Sequence, residues 1–294
     1  MGGEWDSTNV ADGQVAVFAP IALDHTQRLG STVAEIARTK AGIIKPAADV
    51  VSARQVPEAA SELERAAALT EASMAVEGDR FALESTAVAV GGQVITVRGL
   101  AGVYRDHFLP LFGDHQGHNA ALAIAAVESF LGQGTQPLVG DVLAEGLAEA
   151  TSPGRLQVIG TDPTVVVDAA HNPHGAHALA AALGSYFTFG EVAVVLGVLQ
   201  DKDAAGIVDE LEPIATRVIA TQSGSDRAIE AEALAAVVAE VAPGTPVEAW
   251  ESLTAALDEA RSWAAEQPTR AVIVTGSITL VGEAIALATS EGWR

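Results

Sequence analysis

TVVVDAAHNPHGA, running from Thr164 to Ala176, drives a β-prone apolar run straight into a turn and a proline-led helix. Thr164–Asp168 reads as a buried strand. Pro173 suits the first helical position, where its fixed φ fits and its missing N–H costs nothing. Asp168 and His171 then stand at the carboxyl end of a strand, the edge at which open α/β sheets gather their ligand groups.

Outward from this segment the same alternation repeats. Leu156–Ile159, Glu191–Val198, Arg217–Thr221, Val247–Trp250 and Ala271–Thr275 read as further strands. Pro173–Phe187, Asp203–Ile214, Ile229–Val241 and Leu253–Gln267 read as helices between them. Such a series predicts an open parallel sheet covered on both faces. Thr151-Ser152-Pro153-Gly154 is the strongest punctuation and marks a domain boundary near residue 152.

Before that boundary the pattern is more mixed. Gln14–Leu23 reads as a strand, apolar on both faces and therefore interior to a sheet. Thr32 and Glu35 have the spacing of a capping box, with Val33, Ile36 and Ala37 as the apolar stripe behind it. Pro57–Met74 and His115–Phe130 read as helices, as does Val139–Ala150. Ala75–Val97 alternates, with Gly91-Gly92 at a turn, and reads as hairpin strands.

The 294 residues carry no cysteine and a formal charge of −22, from 38 acidic and 16 basic side chains. Disulfides, cysteine–zinc sites and thiol nucleophiles are excluded. A nucleic-acid partner is disfavoured for want of a basic face, and anionic substrates gain no long-range steering. No apolar run is long enough to span a membrane, and the opening residues do not resemble a signal peptide. A cytoplasmic location is expected.

Two segments carry a specific resemblance. LDHTQRLGSTVAEIARTKAGIIKP (Leu23–Pro46) is similar to the LDHT..LG.T...IA..KAGI.KP pattern of the folylpolyglutamate synthase/dihydrofolate synthase family, within the Mur ligase superfamily. VVVDAAHNPHGA resembles the family's D.AHNP segment. GDHQGHNAALAIAAVE, SPGRLQVI, GVLQDKD and TGSITLVGE resemble its remaining motifs. Two positions depart from the pattern, Thr39 where the family has Glu and Glu4 where it more often has Arg.

The resemblance implies an α/β fold: the C-terminal part of a Mur-ligase-type P-loop ATPase domain over residues 1–152, then a Rossmann-like open-sheet domain over 153–294. It implies His25 and a carbamylated Lys40 as holders of Mg2+. Asn119 would contact adenine, Arg155 the ATP phosphates, and Asp168 and His171 the cleft that receives ATP and the amino acid. Lys202 and Ser277 would bind substrate. Lys40, Asp168 and His171 form the implied catalytic set. The implied reaction joins L-glutamate to a (poly)glutamylated tetrahydrofolate, and to dihydropteroate, through an acyl phosphate made with ATP; the full-length protein is expected to be a monomer.

A phosphate cradle of the form G-x-x-x-x-G-K-[ST] does not occur, because the lysines sit in TKA, IKP and DKD. On the family pattern, ~150–200 residues of a nucleotide-binding domain are expected upstream, and the chain alone is expected to be inactive. A cell-wall Mur ligase and a non-catalytic nucleotide-binding module are the alternatives. A dinucleotide dehydrogenase is disfavoured, since no G-x-G-x-x-G follows a predicted strand.

Overall fold

The computed structural model describes residues 3–23 and 26–293. It divides into two compact units, Met1–Pro110 with Asp114–Ala150, and Leu111–Gly113 with Thr151–Arg294.

The first unit opens with a 3-10 turn (Ser7–Val10), β1 (Val15–Phe18), α1 (Thr26–Leu29), α2 (Val33–Ala41), β2 (Asp49–Ser52), α3 (Pro57–Leu69) and β3 (Ser73–Val76). The strands form a parallel sheet in the order β1-β2-β3. The capping box is present in both directions: the Glu35 N–H donates to Thr32 Oγ1 at 3.2 Å, and the Thr32 N–H donates to Glu35 Oε2 at 3.1 Å. Above all the Ser31 N–H, with that of Thr32, holds the Glu35 carboxyl below its usual range. Ile36 and Ala37 carry α2 onto a core shared with Phe18, Val50 and Leu63.

A second, antiparallel sheet follows, β4 (Ala82–Ala89), β5 (Gly92–Arg98) and β6 (Val103–Leu109), with the expected turn at Gly91-Gly92. Then come α4 (Asp114–Gly132) and α5 (Gly140–Ala148). Val50 faces α2 and α3; its neighbour Asp49 must face the other way. Asp49 accepts a hydrogen bond from Ser129 of α4 at 2.7 Å, so α4 covers the opposite face of the sheet.

Three expectations shift here. The first strand stops at Phe18, because Pro20 offers no N–H to extend a ladder. Among the described residues it pairs only with β2 and is an edge rather than an interior strand, with Val17 exposed. The third helix ends at Leu69 and not Met74: Glu71 takes a left-handed φ of 53°, the chain reverses, and Met74 joins the sheet opposite Val50.

The second unit consists of β7 (Gln157–Thr161), β8 (Thr164–Val167), α6 (Pro173–Tyr186), β9 (Glu191–Leu196), α7 (Ala204–Leu211), β10 (Arg217–Thr221), α8 (Ala231–Val241), β11 (Val247–Trp250), α9 (Leu253–Ala265), β12 (Arg270–Thr275) and α10 (Ile278–Glu291). The sheet order is β11-β10-β9-β12-β8-β7. Val166 packs into a core built with α6, α7 and α8. Val165 and Val167 pack into another built with α9 and α10. Helices therefore cover both faces, which is why these strands read as unbroken apolar runs. One strand departs from the expected parallel arrangement. β7 runs antiparallel to β8, because only Asp162 and Pro163 separate them. A parallel crossover needs about a dozen residues.

The chain path places a switch point at this sheet's carboxyl edge. β8 and β9 are each followed by a helix on one face, while β12, which lies between them, is followed by α10 on the other. Sheets of this kind bind ligands where such paths diverge. Among the described residues, no helix is long and apolar enough to cross a membrane.

Candidate functional site

Asp168 follows the last residue of β8 and is 8% exposed. Its carboxylate bridges two backbone segments. Oδ2 accepts from the Leu156 N–H at 2.9 Å, and Oδ1 accepts from the Ala170 N–H at 2.8 Å. The turn after β8 and the loop carrying Arg155 are thereby joined. His171 lies in the same turn, with Nδ1 2.9 Å from the Ala169 carbonyl oxygen. Since a carbonyl only accepts, Nδ1 must donate. In the neutral ring this leaves Nε2 as an acceptor. Asn172 caps α6 by accepting the Gly175 N–H at 2.8 Å.

The neighbouring strands deliver the remaining groups of this edge. Lys202 is half-buried on the loop between β9 and α7. Asp203 caps α7 through the Gly206 N–H at 2.9 Å, and Asp201 pairs with Arg227 at 3.6 Å. A segment after β10 staples this loop in place. The Gln200 N–H donates to the Arg227 carbonyl at 2.8 Å, and its side-chain amide donates to the Ala228 carbonyl at 3.1 Å. Ser277 follows β12 and is 1% exposed. It caps α10, with its hydroxyl accepting the Leu280 N–H at 3.1 Å. Between these loops the backbones come very close. A Cβ at Gly276, whose φ is +107°, would stand 2.6 Å from the Gly197 carbonyl oxygen. Arg155, Asp168, His171, Lys202 and Ser277 thus all belong to the carboxyl edge of three adjacent strands.

In the first unit, Lys40 sits in the last turn of α2 and is half-buried. The opening segment wraps onto this helix end. The Glu4 N–H donates to the Thr39 carbonyl at 2.9 Å, and Lys45 Nζ donates to the Asn9 carbonyl at 2.8 Å. Gly3 has a φ of +89°, and a Cβ there would meet the Thr39 carbonyl oxygen at 2.3 Å. Glycine at position 3 is thus required by contact. Asn119 is exposed on α4, and its amide donates to Gln116 Oε1 at 3.3 Å. His25 lies outside the described residues.

The donor chemistry is compatible with Mg2+. An imidazole at His25 and a carbamate at Lys40 would offer two donors, and Mg2+ usually fills its other positions with water and phosphate oxygens. Asn9, whose amide nitrogen donates to the Gly42 carbonyl beyond the same helix end, has a buried Oδ1 without a partner. Among the described residues, no three His, Cys, Asp or Glu side chains cluster to hold a metal unaided.

Two parts of this arrangement leave no mark in the sequence: the Gln200 staple, and the ties from Gln157 and Asp168 to the Arg155 loop. They are contacts between loops far apart in the chain, made largely to backbone, and backbone partners leave no mark on residue type.

The fold and this edge define a class. Residues 154–278 match the family described as Mur ligase, glutamate ligase domain. The chain is 45% identical to dihydrofolate synthase/folylpolyglutamate synthase of Mycobacterium tuberculosis, over 98% of its own length and 63% of the relative's. It is 34% identical to folylpolyglutamate synthase of Lacticaseibacillus casei, over 95% and 63%. Crystal structures of the M. tuberculosis folylpolyglutamate synthase complexed with ADP and AMPPCP match it with a TM-score of 0.92 at 45% identity, covering 98% of this chain and 66% of that one. Over nearly its whole length the chain is similar to folylpolyglutamate synthase/dihydrofolate synthases. It spans just under two thirds of the length of these curated relatives.

Proposed function

We propose that this chain supplies the amino-acid-ligating part of a cytoplasmic, ATP-dependent ligase that adds L-glutamate to (poly)glutamylated tetrahydrofolate, and also to dihydropteroate. The carboxylate of the acceptor attacks the γ-phosphorus of ATP, forming an acyl phosphate and releasing ADP. The amine of glutamate attacks the acyl carbon, phosphate leaves, and an amide remains. Asn119 reads the adenine edge, which its donor and acceptor atoms suit. Arg155 takes a phosphate through its planar fork, and Asp168 serves the same nucleotide side. His171 binds a carboxylate or orients the attacking amine, with Nδ1 engaged by the Ala169 carbonyl and Nε2 left to act. Lys202 and Ser277 bind the glutamate. Mg2+, held by His25 and the Lys40 carbamate, would neutralise charge between the phosphates.

The observation that carries this reading is the convergence of Arg155, Asp168, His171, Lys202 and Ser277 on the switch point of one sheet, in a chain 45% identical to a bifunctional folate ligase. The 294 residues alone, without a G-x-x-x-x-G-K-[ST] loop, are expected to turn over neither ATP nor glutamate. Loss of even one transition-state charge contact commonly costs ~100-fold. The test is ATP-dependent incorporation of labelled glutamate into tetrahydrofolate and into dihydropteroate, by this chain and by the product of its complete reading frame. A complete product that carries a phosphate loop yet ligates glutamate to neither acceptor sinks the reading. Turnover by the 294 residues at the rate of a whole relative overturns the expected inactivity.

A further inference from the structure

Of the other half-buried arginines in the second unit, two are ion-paired and Arg261 lies over the Trp293 ring, 3.9 Å from its centroid. Arg217 bonds Glu248 and Glu259, and Arg270 bonds Glu191 and Glu266. Arg155 is also half-buried, yet its guanidinium makes no hydrogen bond or ion pair among the described residues. In a chain with 38 acidic residues this is not for lack of carboxylates. The backbone around it, by contrast, is tied on both sides. The Gly154 N–H donates to Gln157 Oε1 at 2.9 Å, and the Leu156 N–H donates to Asp168 Oδ2 at 2.9 Å. The Gly154 carbonyl accepts the Ala169 N–H at 2.8 Å, and the Arg155 N–H donates to the Ser152 carbonyl at 3.1 Å.

This geometry is not one the loop would choose unaided. Leu156 has a φ of +42°, in the left-handed region that a branched side chain disfavours. Its side chain is nevertheless 2% exposed and fixed in the core. Gly154 has a φ of +71°, and a Cβ there would stand 2.7 Å from Val281 Cγ1. Such local strain persists only where the surroundings over-determine the backbone. Here they do so immediately before and after a single arginine.

We propose that Gln157 and Asp168 are positioning residues that clamp the backbone N–H groups flanking Arg155 and hold its open guanidinium ready for an anionic phosphate. Arginine is long and has many rotamers, so the direction of its Cα–Cβ bond decides where the fork can reach. Two-point recognition of a phosphate tolerates little error in that direction. The clamp fixes it before any ligand arrives. The proposal rests on the phosphate role given to Arg155 above, and it assigns a part to Gln157, which touches no ligand itself.

The test uses the full chain and inorganic tripolyphosphate as probe. Binding is followed at the Arg155 Nε–H resonance and by calorimetry, and amide hydrogen exchange is read at Gly154 and Leu156. Gln157→Leu keeps the side chain's bulk but removes the acceptor. It is expected to speed Gly154 exchange and to weaken tripolyphosphate roughly tenfold. Gln157→Glu, which keeps an acceptor oxygen, should restore both. Asp168→Asn should speed Leu156 exchange. Added to Arg155→Ala, Gln157→Leu should cost nothing further, since a positioning residue acts only through the residue it positions. Faster exchange with unchanged Arg155-dependent binding, or costs that add in the double variant, overturns the clamp while leaving the functional reading intact. If the wild-type chain shows no Arg155-dependent binding, the phosphate role itself fails. Unchanged exchange at both amides removes the clamp whatever the binding shows.

Discussion

Glu128 is a fully buried carboxylate on α4, 0% exposed; among the described residues only Asp168, at 8%, is another buried acid. It is held by four donors. Oε2 accepts the Leu100 N–H, while Oε1 accepts the Ala101 and Gly102 N–H groups, each at 3.2 Å, and the Tyr104 hydroxyl at 2.6 Å. Gly99 is glycine because a Cβ there would lie 2.3 Å from Glu128 Oε2. Tyr104 in turn accepts the Leu138 N–H at 2.7 Å, so one carboxylate ties α4 to the β5–β6 turn and to the segment leading into α5.

Glu128→Gln keeps the shape and replaces one oxygen with a donor. The least damaging placement puts the amide oxygen at the Oε1 position, leaving the Leu100 N–H facing another N–H. A buried donor so stranded costs about 1–3 kcal/mol, and each of the three retained bonds drops by about 1 kcal/mol on losing its charged partner. Relief from burying a charge offsets part of this. A net loss of about 2–4 kcal/mol is expected, a large fraction of the ~5–15 kcal/mol that stabilises a domain. Glu128→Ala strands all four donors and is expected to unfold the first unit. The assay is urea-dependent hydrogen exchange of peptides from 92–132, with peptides of the second unit as internal reference. A Glu128→Gln loss below about 1 kcal/mol would refute the idea that these four bonds carry the local stability.

Two further outcomes follow from the same structure. Burial, followed by the bond to Glu128, pushes the Tyr104 hydroxyl up to about 12, against ~10 in an unfolded chain. Between those values the unfolded chain loses its proton first, so stability should fall as pH rises through that window and level off above it. Phenolate absorbance should show one of the two tyrosines titrating late, and Tyr104→Phe should abolish that step. Gly276→Ala places a Cβ 2.6 Å from the Gly197 carbonyl at a left-handed φ and is expected to cost about 2–4 kcal/mol in the second unit. Thermal unfolding with no downward shift would mean that the β9 and β12 loops part at little cost.

The second unit was largely legible because each of its elements is specified locally. Val165–Val167 and Val192–Leu196 are buried on both faces and so read as unbroken apolar runs. Asn172, Asp203, Ser252 and Ser277 all cap helices from the positions where such residues announce a start. Met74 departs from its expected helix for the complementary reason. Its neighbourhood is rich in Ala and Glu and favours helix, but the reversal at Glu71 and the pairing with Val50 are tertiary facts. The direction of β7 was hidden as well, since a two-residue link is visible only once the strand ends are known to lie at Thr161 and Thr164.

Site residues divide along the same line. Arg155, Asp168, His171, Lys202 and Ser277 are candidates through the family resemblance of their segments, and each stands beside a strand end or helix start. What holds them was not found, because the holding is done by backbone atoms. Asp168 grips the N–H groups of Leu156 and Ala170, Gln157 that of Gly154, and Gln200 the carbonyls of Arg227 and Ala228. Any residue type but proline would offer the same N–H, and any at all the same carbonyl, so no pattern of types records the contact. The carboxylate of Asp168 shows what this implies for assigning roles. Its place in a D.AHNP segment points to direct chemistry, whereas its bonds show it fixing two loops at once. A strand-end acid can therefore matter to a reaction by deciding where a neighbouring arginine stands, and substitution at Asp168 would be expected to resemble loss of Arg155 more closely than loss of His171.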